Sequence, residues 1–146
     1  MQTIPLWING QAVESKSGRS GDVYDPARGE VTAQVGFANL AEINQTIAAA
    51  AAAFPAWRDQ SLTKRIQIMF KFRELLEAKK GELAEIITSE HGKVLSDAMG
   101  EITRGQEVVE FACGMPQMLK GEYSENASTN VDVYSLKQPL GVVGII

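Results

Sequence analysis

The chain has 146 residues with 18 acidic and 14 basic side chains, a formal net charge of −4. That length suits one domain with a core of its own, and the acidic balance argues against a nucleic-acid binder, which carries a basic patch. The one cysteine, Cys113, excludes a disulfide framework and points to a reducing cytoplasm; no apolar run nears the roughly 20 residues of a membrane helix, and Met1 to Pro5 does not read as a secretory signal.

Leu6 to Val13 reads as a β-hairpin, because Asn9-Gly10 suits the two positive-φ positions of a type I′ turn. Ser15 to Gly21 is polar and glycine-containing, a surface loop. Asp25-Pro26-Ala27-Arg28-Gly29 is a turn. Glu30 to Phe37 places Val31, Ala33, Val35 and Phe37 on one side, the pattern of a half-buried strand.

Four helices are expected next. The first starts at Asn39, an N-cap with Glu42 placed for a capping box. Ile43, Ile47, Ala50, Ala51 and Phe54 form its apolar stripe, and Pro55 and Trp57 end it. The second starts at Ser61, is apolar on more than one face and breaks at Gly81. The third carries Leu83, Ile86 and Ile87 and ends at Gly92, a C-terminal capping glycine. The fourth runs from about Val94 toward Leu119. Gly105 and Gly114 suggest close approach of another backbone, and Pro116 kinks or ends the helix.

Glu122 to Asn130 is polar and loop-like. Val131 to Lys137 reads as an extended strand with an edge open to another chain. Pro139-Leu140-Gly141-Val142-Val143-Gly144-Ile145-Ile146 has no polar side chain, which suits a strand covered on both faces of a parallel sheet. A parallel strand needs a crossover and a neighbour. The expectation is therefore that this chain is the front part of a longer protein. An antiparallel strand closing a small domain is the other reading.

Catalytic groups are sparse. Cys113 reads as a small buried hydrophobe, and the only histidine, His91, sits at a helix end where a cation suits the dipole. One Cys and one His do not make a zinc site, so no catalytic or metal-ligating residue is assigned. Gly141 to Gly144 is no phosphate-cradling loop, because no helix starts after it, and no cofactor-binding residue is assigned either. Arg104 lies mid-helix beside Gly105. A guanidinium there could grip a small carboxylate, but spacing favours an ion pair with Glu101 or Glu107.

The order of motifs resembles the aldehyde dehydrogenase superfamily. They are Trp7-Ile8-Asn9-Gly10, Asp25-Pro26-Ala27, Phe54-Pro55-Ala56-Trp57, Glu90-His91-Gly92-Lys93, Phe111-Ala112-Cys113-Gly114 with Gly121, and Pro139 to Ile145. Within it, Gly100 to Ala112 resembles the CoA-acylating methylmalonate-semialdehyde dehydrogenases. The resemblance implies an α/β fold with an N-terminal hairpin, a four-helix cluster, a protruding oligomerisation strand and the first strand of a cofactor-binding sheet. It divides the chain into residues 1–120 (hairpin plus helical part), 121–138 (oligomerisation segment) and 139–146 (start of a Rossmann-like sheet).

It also implies an enzyme of valine and inositol breakdown that uses NAD and coenzyme A. Such an enzyme oxidises methylmalonate or malonate semialdehyde and yields propionyl-CoA or acetyl-CoA with loss of carbon dioxide. Arg104 matches the family arginine that holds the substrate carboxylate. Val131 to Lys137 would join subunits of a homo-oligomer, a tetramer by resemblance. Cys113 does not match the family nucleophile, so the 146 residues alone are expected to be inactive and to bind NAD poorly. Two other readings stay open: a non-acylating aldehyde dehydrogenase of another substrate class, and a short non-catalytic assembly module.

Overall fold

A computed structural model describes residues 2–146. The N-terminal part is a β layer: β1 (Gln2–Ile4), β2 (Leu6–Ile8), β3 (Gln11–Val13), β4 (Ser20–Asp25) and β5 (Glu30–Gly36). β2 and β3 form the expected hairpin, with Asn9 at φ 51° and Gly10 at φ 76° in its turn. The other three strands form a sheet in the order β1-β5-β4, with β1 parallel and β4 antiparallel to β5. The turn between β4 and β5 closes on Asp25. Its carbonyl accepts from the N–H groups of Arg28 (3.2 Å) and Gly29 (2.7 Å), and its Oδ1 accepts from the N–H of Ala27 at 2.9 Å.

The segment read as a loop is extended from Ser20 onward, and β1 was not expected at all. Ser-Gly-Asp-Val-Tyr-Asp has too little apolar alternation to announce itself. β5 supplies the ladder that makes it a strand, a tertiary effect outweighing local propensity.

The helices are α1 (Leu40–Arg58), α2 (Leu62–Ala78), α3 (Lys80–His91), α4 (Leu95–Cys113) and α5 (Met115–Met118). The capping box at α1 is complete: Asn39 Oδ1 accepts from the Glu42 N–H at 2.9 Å, and Glu42 Oε2 accepts from the Asn39 N–H at 2.8 Å. Glu42 is buried and does more. Its carboxylate also accepts from the Lys16 N–H at 2.7 Å and the Ser15 hydroxyl at 2.9 Å, tying the loop after β3 to the start of α1. These donors, the Lys16 N–H first, hold the Glu42 carboxyl below its ordinary value.

Three helix boundaries differ from expectation. Pro55 lies inside α1, which runs on to Arg58. In the last turn of an exposed helix proline costs only the bond to Ala51, and Ala51 is itself exposed and open to water. Gly81 does not break α2; the break falls at Lys79, and Gly81 sits in the first turn of α3. Among the described residues five helices stand where four were expected, because Gly114 closes α4 and Pro116 fits the first turn of α5. Gly92, at φ 82°, ends α3 as expected, its N–H donating to the Thr88 carbonyl at 2.8 Å.

β6 (Tyr123–Ser128) and β7 (Val131–Tyr134) form an exposed antiparallel hairpin. The polar stretch read as a loop is thus mostly β6, made regular by its partner, with a register shift between Ser124 and Ser128 where Asn126 takes φ 49°. β7 ends at Tyr134, short of the expected Lys137. Residues 139–146, read as a strand that needs a neighbour, form no strand here and are largely exposed, with Leu140 at 96%. An extended run gains strand geometry only from a ladder, and no described strand pairs with it.

The core is small. Ala84 and Ala98 are fully buried and Ile102 nearly so, with Leu83, Ile87 and Met99 packed around them between α3 and α4. The accessible surface is 11254 Å², against about 7,300 Å² for a compact protein of this mass. Large apolar side chains share in that exposure: Trp57, Phe70, Phe72 and Phe111 are all exposed.

Candidate functional site

The side chains at Asp97, Glu101, Arg104 and Glu107 recur every three or four residues along α4, so they share one stripe of the helix. Lys93 stands just before that helix. Its Nζ lies 2.7 Å from Glu101 Oε1, and only 19% of its side chain is exposed. This ammonium holds the Glu101 carboxyl below its ordinary value. Arg104 Nη1 lies 3.0 Å from Glu107 Oε2, and 80% of the Arg104 side chain is exposed. Of the two acidic partners that spacing offered, Glu107 takes the guanidinium, while Glu101 is committed to Lys93. Lys93, Ser96, Asp97, Gly100, Glu101 and Arg104 line one shallow polar depression.

The depression can present one guanidinium to a small anion. Two cations (Lys93, Arg104) stand among three carboxylates (Asp97, Glu101 and, beside the depression, Glu107), so an anion at Arg104 competes with Glu107 for its charge. The Lys93–Glu101 pair was missed from sequence. Eight residues separate the two across a helix start, and no helical periodicity links them.

Gly105 does not mark the expected close packing: a Cβ there would meet no heavy atom within 4 Å. Cys113 is half-buried at the last residue of α4, and His91 is exposed at the last residue of α3. Val142 and Val143 line a depression with Ala50, Phe54 and Trp57 of α1. No helix among the described residues is long and apolar enough to cross a membrane.

The profile of the aldehyde dehydrogenase family matches residues 12–146. The chain is 46% identical over 143 residues to a malonate-semialdehyde dehydrogenase of Pseudomonas aeruginosa, covering 98% of this chain and 29% of that protein. It is 45% identical over 139 residues to an acylating, mitochondrial methylmalonate-semialdehyde dehydrogenase of Arabidopsis thaliana, covering 95% of this chain and 23% of that one. Among solved structures it superposes with a TM-score of 0.91 on a Sinorhizobium meliloti protein described as a methylmalonate-semialdehyde dehydrogenase and complexed with NAD. That match is at 39% identity and covers 97% of this chain and 29% of the other.

The hairpin, the helical cluster and the sequence match define one class: the chain belongs to the aldehyde dehydrogenase family. Within that family it is similar to the (methyl)malonate-semialdehyde dehydrogenases, and it spans less than a third of the length of these relatives.

Proposed function

We propose that this chain forms the N-terminal part of an NAD-dependent, CoA-acylating (methyl)malonate-semialdehyde dehydrogenase. The observation that carries the reading is the 46% identity to a malonate-semialdehyde dehydrogenase across nearly the whole chain. The acylating plant relative supports coenzyme A as the acyl acceptor, and the NAD-bound bacterial structure supports NAD. The products are acetyl-CoA or propionyl-CoA with carbon dioxide, as in valine and inositol breakdown. A cytoplasmic location and a homotetramer joined through residues 131–137 complete the proposal. So does the division at residues 120 and 138.

In this reading Arg104 holds the carboxylate of the semialdehyde. Its planar fork offers two parallel N–H donors to a carboxylate, and its place on a long helix orients the aldehyde at the far end of the substrate. NAD, when bound, accepts a hydride equivalent from the aldehyde carbon. Among the described residues no glycine-rich turn leads from a strand into a helix N-terminus, so no cofactor contact is assigned to them. Cofactor binding and the nucleophile are therefore assigned to other parts of the complete enzyme, and the 146 residues alone are inactive.

The test compares Arg104→Ala with wild type in the complete enzyme, using malonate semialdehyde and an uncharged aldehyde. Loss of charge-assisted hydrogen bonds lowers kcat/KM for the carboxylated substrate about 10- to 100-fold and leaves the uncharged one little changed. Equal losses return Arg104 to a surface ion pair. A thioester product that forms only with coenzyme A separates this reading from a non-acylating enzyme.

A further inference from the structure

We propose that Glu107 is a specificity-determining positioning residue that acts through Arg104, an inference that rests on Arg104 holding the substrate carboxylate. Glu107 Oε2 lies 3.0 Å from Arg104 Nη1. One N–H of the guanidinium and part of its charge are thus already engaged before substrate arrives. A carboxylated semialdehyde competes with Glu107 for that charge, whereas an uncharged aldehyde competes for nothing.

The neighbours make this competition specific to Glu107. Glu101, the other acid within helical reach of Arg104, already has Lys93 as its counterion at 2.7 Å and makes no contact with Arg104. Asp97 lines the same depression seven residues away, two turns along the helix. Neutralising Glu107 therefore leaves Arg104 without a ready counterion and favours an incoming carboxylate. The pair is solvent-exposed and spaced i,i+3, so its competition amounts to about twofold in affinity.

The experiment is steady-state kinetics of the complete enzyme with malonate semialdehyde and with propanal. Wild type is compared with Glu107→Gln, Glu107→Asp, Arg104→Ala and the Arg104→Ala/Glu107→Gln double variant. Glu107→Gln is expected to lower KM for malonate semialdehyde about twofold with kcat and propanal kinetics unchanged. Glu107→Asp stays nearer wild type, and the glutamine change has no effect once Arg104 is gone. An unchanged or raised KM in Glu107→Gln overturns the proposal, as does an equal fall with propanal; a selective loss in Arg104→Ala then leaves the Arg104 reading standing. A non-selective loss in Arg104→Ala overturns both.

Discussion

Replacing Ile102 with alanine probes the small core where it is most dependent on one side chain. Ile102 is 8% exposed and packs in a cluster with Ala84 and Ala98, both at 0%. The change removes three carbons, about 2.4 kcal/mol at about 0.8 kcal/mol for each buried group. A cavity contribution adds to this, and Ile→Ala changes in cores cost about 2–5 kcal/mol. The cluster's other buried members are alanines, which have no rotamers with which to fill the space, so about 3 kcal/mol is expected. Val108 on the same helix is 67% exposed and serves as the control. Val108→Ala should change stability by less than about 0.5 kcal/mol, with alanine favoured by helix propensity. Urea unfolding of the 146-residue chain, followed by far-UV circular dichroism, measures both. A cost below about 1 kcal/mol for Ile102→Ala, or equal costs for the two variants, would show that α3 and α4 are not held together by this cluster.

Three further predictions test the joints of the fold and the surface of α4. Glu42 keeps its carboxyl below the ordinary 4.5 because it accepts from the Lys16 and Asn39 N–H groups and the Ser15 hydroxyl. The stability it contributes is present above that value and is lost as pH falls through the folded-state value, where the unfolded chain has already taken up its proton. Urea midpoints should fall on acidification through this range, and Glu42→Gln should flatten that fall; equal slopes in both proteins would sink the assignment. At the base of the β6–β7 hairpin, a Cβ on Gly121 would overlap the Ser135 carbonyl oxygen. The Ser135 N–H donates to the Glu122 carbonyl there at 2.9 Å, and the Glu122 N–H donates to Ser135 Oγ at 2.8 Å. Gly121→Ala should speed amide exchange at Ser135, whereas Gly105→Ala, placed in open space, should stabilise α4 by up to about 1 kcal/mol.

What the sequence determined by itself is the set of features whose physics is local. The Asn9-Gly10 turn, the Asn39–Glu42 capping box and the Gly92 terminus depend on residues within a few positions of one another, and each stands where it was read. Motif order carried the family, because it samples the whole chain at once. Only tertiary structure could turn Ser20–Asp25 and Tyr123–Ser128 into strands, since their regularity comes from pairing with β5 and β7 and not from any pattern of their own. It also decided Arg104. Helical spacing offered both Glu101 and Glu107; in the fold Arg104 pairs with Glu107, and Glu101 pairs with Lys93, which arrives from outside the helix. An ion pair goes to the partner that geometry leaves free, and that is settled only once the chain has folded.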